Sequence, residues 1–123
     1  MVVDDDEATC ITFKNILVKK CNEVVVSHTG EEAIAMVEKK TYDAIFIDMK
    51  LPAINGLETY LAIKEINPKA VVIIITAYYK EMADLVEKVL NSHAYTCLHK
   101  PLEIEDVLRL IDEIWEKKEN RGD

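Results

Sequence analysis

Cysteine is scarce and unpatterned: Cys10, Cys21 and Cys97 are odd in number, far apart, and include no Cys-x-x-Cys pair. That argues against a disulfide framework and a zinc site, and makes a reducing compartment the natural setting. Long hydrophobic runs are missing too. The longest, residues 70–75, is far too short to span a bilayer. Acidic residues from Asp4 onward leave no room for a secretory signal. Positive charge is also in deficit, with 15 Lys and Arg against 23 Asp and Glu, a net −8. Little here would neutralise a phosphate backbone, which argues against direct nucleic-acid binding. The expectation is a cytoplasmic protein with neither nucleic acid nor membrane as a partner. At 123 residues, 50% hydrophobic and 31% charged, the chain suits one globular domain. That domain is read as residues 1–118, with a polar tail at 119–123.

What is present is organised around Ala44-Ile45-Phe46-Ile47-Asp48-Met49-Lys50-Leu51-Pro52. A short apolar run between a polar stretch and a proline reads as a strand buried on both faces. Asp48 would then stand at the carboxyl end of a parallel strand, where open α/β sheets bind ligands. Packing alone explains a carboxylate there poorly, because Asp is rarely buried unpaired. Asp48 is therefore a candidate nucleophile that accepts a phosphoryl group.

The rest of the chain alternates strand and helix. Met1-Val2-Val3 is a short apolar start, and Asp4-Asp5-Asp6-Glu7 opens a helix whose stripe is Phe13, Ile16 and Leu17. Val24-Val25-Val26 reads as a strand. Thr29 and Glu32 fit a capping box for a second helix bearing Ala33, Ile34, Met36 and Val37. Asn55-Gly56 precedes a third helix with Leu57, Leu61 and Ile66 on its buried side, stopped by Asn67-Pro68. Residues 70–75 form another doubly buried strand ending at Thr76-Ala77. A fourth helix is expected over 80–90 with Met82, Leu85, Val86 and Val89 apolar, then a strand over 95–98. A last helix carries Ile104, Val107, Leu108, Ile111 and Trp115, and the polar end from Glu116 frays. Strict alternation implies an α/β fold: a doubly wound, flavodoxin-like parallel sheet of five strands in the order 2-1-3-4-5, with five helices on two faces.

In that arrangement Asp4, Asp5, Asp48, Thr76 and Lys100 open on one rim. Clustered carboxylates repel and gain proton affinity unless a cation intervenes. A hard, oxygen-preferring divalent ion fits, and Mg²⁺ takes few protein carboxylates while keeping waters. It would bridge an incoming phosphoryl oxygen and offset its charge. Lys100 would pair with phosphoryl oxygens, and the Thr76 hydroxyl would bond another, reporting whether phosphate is present.

Four segments lie in order at strand ends: Val3-Asp4-Asp5; Phe46 to Pro52 with Asn55-Gly56; Ile75-Thr76-Ala77; and Leu98-His99-Lys100-Pro101. Together they make the chain resemble a response-regulator receiver domain, the phosphoacceptor module of two-component signalling, over essentially its whole length. The resemblance implies that a sensor histidine kinase or phosphotransfer protein phosphorylates Asp48 with Mg²⁺ as cofactor. It implies Asp5 as a direct ligand, Asp4 acting through water, and the Lys50 backbone carbonyl completing the set. Thr76, Ala77 and Lys100 would hold the phosphoryl group, and Lys100–Pro101 would be a cis bond. The face of the fourth helix, fifth strand and fifth helix would bind a partner or a second copy. The family usually carries an aromatic three positions before the Lys; here that position is Cys97, and the nearest aromatic is Tyr95.

Blander readings stand beside these. In isolation Asp4–Asp6 is only a solvated helix start, Thr76 a strand terminus and Lys100 a surface charge. Asp6 is a bystander to the metal site. His28, His93 and His99 lack ligand spacing, and Tyr78 and Tyr79 are loop aromatics or a docking surface. A haloacid-dehalogenase-type phosphohydrolase would want a second Asp two residues after the nucleophile, where Lys50 stands. A phosphorylation-independent interaction module would not need the acid, hydroxyl and amine set. The expected role is a signalling switch, not a turnover enzyme.

Overall fold

Five short strands run parallel in one sheet, and helices connect the first four of them. The computed structural model describes residues 1–21, 23–77 and 95–120, together with 84, 87, 88 and 91. The elements are β1 (Val2–Val3), α1 (Glu7–Leu17), β2 (Val26–Ser27), α2 (Gly30–Lys39), β3 (Ile45–Asp48), α3 (Gly56–Ile66), β4 (Val72–Thr76), β5 (Thr96–His99) and α4 (Ile104–Asn120). The strand order is β2-β1-β3-β4-β5, the doubly wound order expected. Four helices are bounded among the described residues, against five expected. Most of the helix expected over 80–90 lies outside the described residues, as do Tyr78, Tyr79 and His93.

Strand periodicity divides the core into two layers. Val3, Ile45, Ile47, Val72 and Ile74 pack under α2 and α3 with Ala33, Val37, Tyr60 and Ile63. Val2, Phe46, Ile73 and Ile75 face the other way, against Phe13, Ile16 and Leu17 of α1 and Val107, Leu110, Ile111 and Ile114 of α4. The Phe13 and Phe46 rings meet at 4.8 Å between centroids, tilted by 54°. Every β3 and β4 residue is buried, which explains why these strands read as unbroken apolar runs.

Where boundaries differ from the sequence reading, a pairing or a cap decides. β2 sits at Val26–Ser27 instead of 24–26, because its ladder partners are Val2 and Val3 of a two-residue strand. The run expected at 70–75 is β4 over Val72–Thr76, and β5 is Thr96–His99 instead of 95–98, set by the Ile73–Thr96 to Thr76–His99 register. Helix α1 starts at Glu7 with Asp6 as N-cap, so Asp4 follows β1 directly instead of opening the helix.

The buried side of α3 is Gly56, Thr59, Tyr60 and Ile63, not Leu57, Leu61 and Ile66. Leu61 and Ile66 are exposed and Leu57 is partly buried, because the Asn55–Glu58 capping box and the close approach of Gly56 to Met49 fix the helix phase. On α4, Leu110 and Ile114 join Val107 and Ile111 inside. Leu108 and Trp115 are partly buried, and Ile104 on the first turn is exposed. The helix runs on to Asn120, into the polar stretch read as a tail.

Candidate functional site

The carboxyl ends of β1, β3 and β4 and the turn after β5 converge on one cleft. It is lined by Asp4, Asp5, Asp6, Asp48, Met49, Lys50, Thr76, Ala77 and Lys100. Asp48 is the last residue of β3, paired with Ile75, and the Met49 amide continues the ladder to the Ile75 carbonyl at 2.9 Å. Asp4 follows β1 directly and its amide donates to the Ser27 carbonyl at 3.0 Å. Thr76 ends β4, and its carbonyl accepts from the Lys100 amide at 2.8 Å, which seats Lys100 across the rim.

Lys100 bridges the two buried carboxylates. Its Nζ lies 3.2 Å from Asp4 Oδ2 and 3.2 Å from Asp48 Oδ2. The other oxygens bind main chain: Asp4 Oδ1 accepts from the Asp6 amide at 2.9 Å, and Asp48 Oδ1 from the Lys50 amide at 3.1 Å. Asp4 is 0% exposed and Asp48 6%, while Asp5 points to solvent. One oxygen from each of Asp4, Asp5 and Asp48 falls within 4.8 Å of the others. This all-oxygen, clustered donor set suits a hard divalent cation.

Charge in the cleft is unbalanced, with the carboxylates of Asp4, Asp5, Asp6 and Asp48 set against the ammonium groups of Lys50 and Lys100. Burial, then the neighbouring Asp4 charge, pushes the Asp48 carboxyl above its ordinary value, against the pull of the Lys50 amide and Lys100. Burial would lower Lys100, but the charges of Asp48 and Asp4 outweigh it and hold the amine above its usual range. Burial chiefly holds the proton on Asp48, and the surplus of negative charge holds it on Lys100. A cation between the carboxylates would remove that surplus.

Asp4, Asp5, Asp48, Lys50, Thr76, Ala77 and Lys100, singled out in the sequence, are thus brought together, and the Lys100–Pro101 bond is cis. Cys97 is not with them. It packs, partly buried, in the layer under α2 and α3. Tyr95 lies in the opposite layer, its ring 4.7 Å from Lys117 Nζ and its hydroxyl accepting from the same amine at 3.0 Å.

Three features of the segments that carry the site were not legible in the sequence. Asp6, read as a bystander, caps α1 by accepting from the Thr9 amide at 3.3 Å and from the Thr9 hydroxyl. That hydroxyl bond holds its carboxyl below the usual range. The Asp6-x-x-Thr9 spacing was the available signal. The Cys10 thiol donates to the Asp4 carbonyl at 3.2 Å, and burial pushes its pKa to about 11. Ala53 adopts φ 62° in the loop after Asp48, a conformation that nothing in an alanine announces.

Comparison with known proteins agrees with this fold. The family described as response regulator receiver domain matches residues 1–112. The transcriptional regulatory protein ZraR of Klebsiella oxytoca is 31% identical over 92% of this chain, a match covering 25% of that protein. The chain thus spans a quarter of that regulator, and 45% of a response regulator receiver protein from Anaeromyxobacter. Sporulation initiation phosphotransferase F of Bacillus subtilis is 28% identical over 87% of this chain and 85% of its own length. Among solved structures, a CheY-like receiver domain from Methanospirillum hungatei superposes with a TM-score of 0.86 at 30% identity, covering 98% of this chain and 95% of that one.

Proposed function

The chain belongs to the response regulator receiver domain family, and from that membership we propose that it is a phosphoacceptor switch in which Asp48 takes a phosphoryl group from a histidine kinase or phosphotransfer protein. The observation that carries this reading is the Lys100 amine held 3.2 Å from both buried carboxylates at the strand ends. A structural ion pair needs one carboxylate per amine; a second, sharing it, costs stability and calls for a chemical reason.

In the proposed reaction an Asp48 carboxylate oxygen attacks phosphorus and forms a P–O bond. The donor's P–N or P–O bond breaks, and the leaving group departs with the bonding pair and picks up a proton. The Lys50 amide orients Asp48 through Oδ1 at 3.1 Å. Lys100 gives up its bond to Asp48 and pairs with a phosphoryl oxygen, keeping Asp4 as its anchor. Thr76, at the end of the adjacent strand, offers a hydroxyl to another of those oxygens. Asp4, Asp5 and Asp48 fit Mg²⁺, with the Lys50 carbonyl as a further ligand and Asp4 acting through water. When bound, that ion would offset the charge of the phosphoryl oxygens.

The protein is proposed to act as a signalling element in the cytoplasm, changing partners with its phosphorylation state, and not as a turnover enzyme. A phosphohydrolase of the haloacid-dehalogenase type is disfavoured, since Lys50 stands where its second acid would be and its backbone N–H orients Asp48. Intact-mass analysis after incubation with acetyl phosphate and Mg²⁺ tests the proposal. One added phosphoryl group on wild type and none on Asp48→Asn is expected. Equal labelling of both would remove Asp48 as the acceptor, and no labelling of either would favour a phosphorylation-independent module.

A further inference from the structure

We propose that Cys10 is a positioning residue for the acidic cleft: its thiol, donated to the Asp4 main-chain carbonyl, fixes the peptide plane that sets Asp4 and Asp5 relative to each other. This rests on the phosphoacceptor reading and adds to it a residue on α1 that touches neither phosphate nor cation.

The geometry is a four-point hold on Asp4. Its amide donates to Ser27 at 3.0 Å, Oδ1 accepts from the Asp6 amide at 2.9 Å, and Oδ2 accepts from Lys100 at 3.2 Å. The fourth point is the carbonyl, which accepts from Cys10 Sγ at 3.2 Å. That carbonyl belongs to the planar peptide joining Asp4 to Asp5. Holding its oxygen fixes ψ of Asp4 and φ of Asp5 together, and so the angle between one fully buried and one exposed carboxylate. No side chain of Asp5 needs to be gripped for Asp5 to be aimed.

Cys10 is itself rigidly placed. It is 2% exposed on the first turn of α1, and its amide is bonded to the Asp6 carbonyl at 3.1 Å. Asp6, Thr9 and Cys10 therefore form one brace that runs from the helix cap to the strand end. Loss of an outer partner that orients a metal ligand costs about 10–100-fold in affinity. A thiol is a weak donor, so its contribution belongs at the low end of that range.

The test is calorimetric titration with Mg²⁺ alone, on wild type, Cys10→Ala and Cys10→Ser, alongside urea denaturation without Mg²⁺. Cys10→Ala should bind Mg²⁺ about tenfold more weakly. Cys10→Ser, which keeps a donor, should recover most of that loss. If Cys10→Ala does not fold, Cys10→Val takes its place, filling the space without a donor. Denaturation midpoints that fall while Mg²⁺ affinity stays at the wild-type value would overturn the proposal as mere packing. Equal weakening in the Ala and Ser variants would overturn it as well. The wild-type titration keeps the two claims apart. Absent Mg²⁺ binding there sinks the reading of the cleft and this inference with it, whereas normal binding in wild type and Cys10→Ala sinks only the positioning role.

Discussion

Asp48 is 6% exposed with another buried carboxylate sharing its amine, so its charge works against the fold that holds it. Its carboxyl is raised above the ordinary 3.8 in the folded chain. Between that ordinary value and the raised one, the folded state binds the extra proton, so stability falls as pH rises through the window. Asp48→Asn removes the titration. Without divalent cations it should be more stable than wild type near neutral pH. The gain should shrink toward zero below the ordinary carboxyl value. Urea denaturation at acid and neutral pH measures both ends, and a variant no more stable than wild type at pH 7 would contradict the charge argument. Lys100 has the same slope at higher pH: its raised value adds stability that is present at neutral pH and lost as alkaline pH removes its proton.

At the scale of elements, the site depends on how close α3 comes to the end of β3. A Cβ on Gly56 would lie 2.6 Å from the Met49 Cα and 2.7 Å from the Asp48 carbonyl oxygen. Both are backbone atoms beside the acceptor and cannot swing aside. Gly56→Ala should destabilise the fold by about 1–3 kcal/mol and push the strand end off its position. Urea denaturation reads the first effect and the acetyl phosphate labelling rate the second. Unchanged stability would show that the loop yields freely. The same approach explains why the apolar pattern misled on α3. Leu61 and Ile66 are exposed, while the face that turns inward sets the small Gly56 and Thr59 beside Tyr60 and Ile63. Helix–strand contact distance, absent from any period count, selected the face.

For the whole molecule, cation binding and folding are linked, because the oxygens of Asp4, Asp5 and Asp48 come within 4.8 Å only when β1 and β3 are paired. Mg²⁺ at ten times its dissociation constant should stabilise wild type by about 1.4 kcal/mol, raising the melting temperature by roughly 3–6 °C. Asp5→Ala should lose most of that rise. Thermal denaturation with and without Mg²⁺ checks this, and an equal rise in both proteins would place the ion elsewhere.

The sequence alone determined the alternation of elements, the parallel sheet order and the acid, hydroxyl and amine residues at the strand ends. These depend on local apolar runs, turn residues and chain connectivity, which are written in neighbouring positions. Only the tertiary structure decided that one lysine serves two carboxylates, that a cysteine on α1 grips the Asp4 carbonyl, and that Cys97 and Tyr95 sit in opposite layers. Those facts depend on distances between segments far apart in the chain. Such distances come from strand register, helix phase and close backbone approach, which no local pattern encodes.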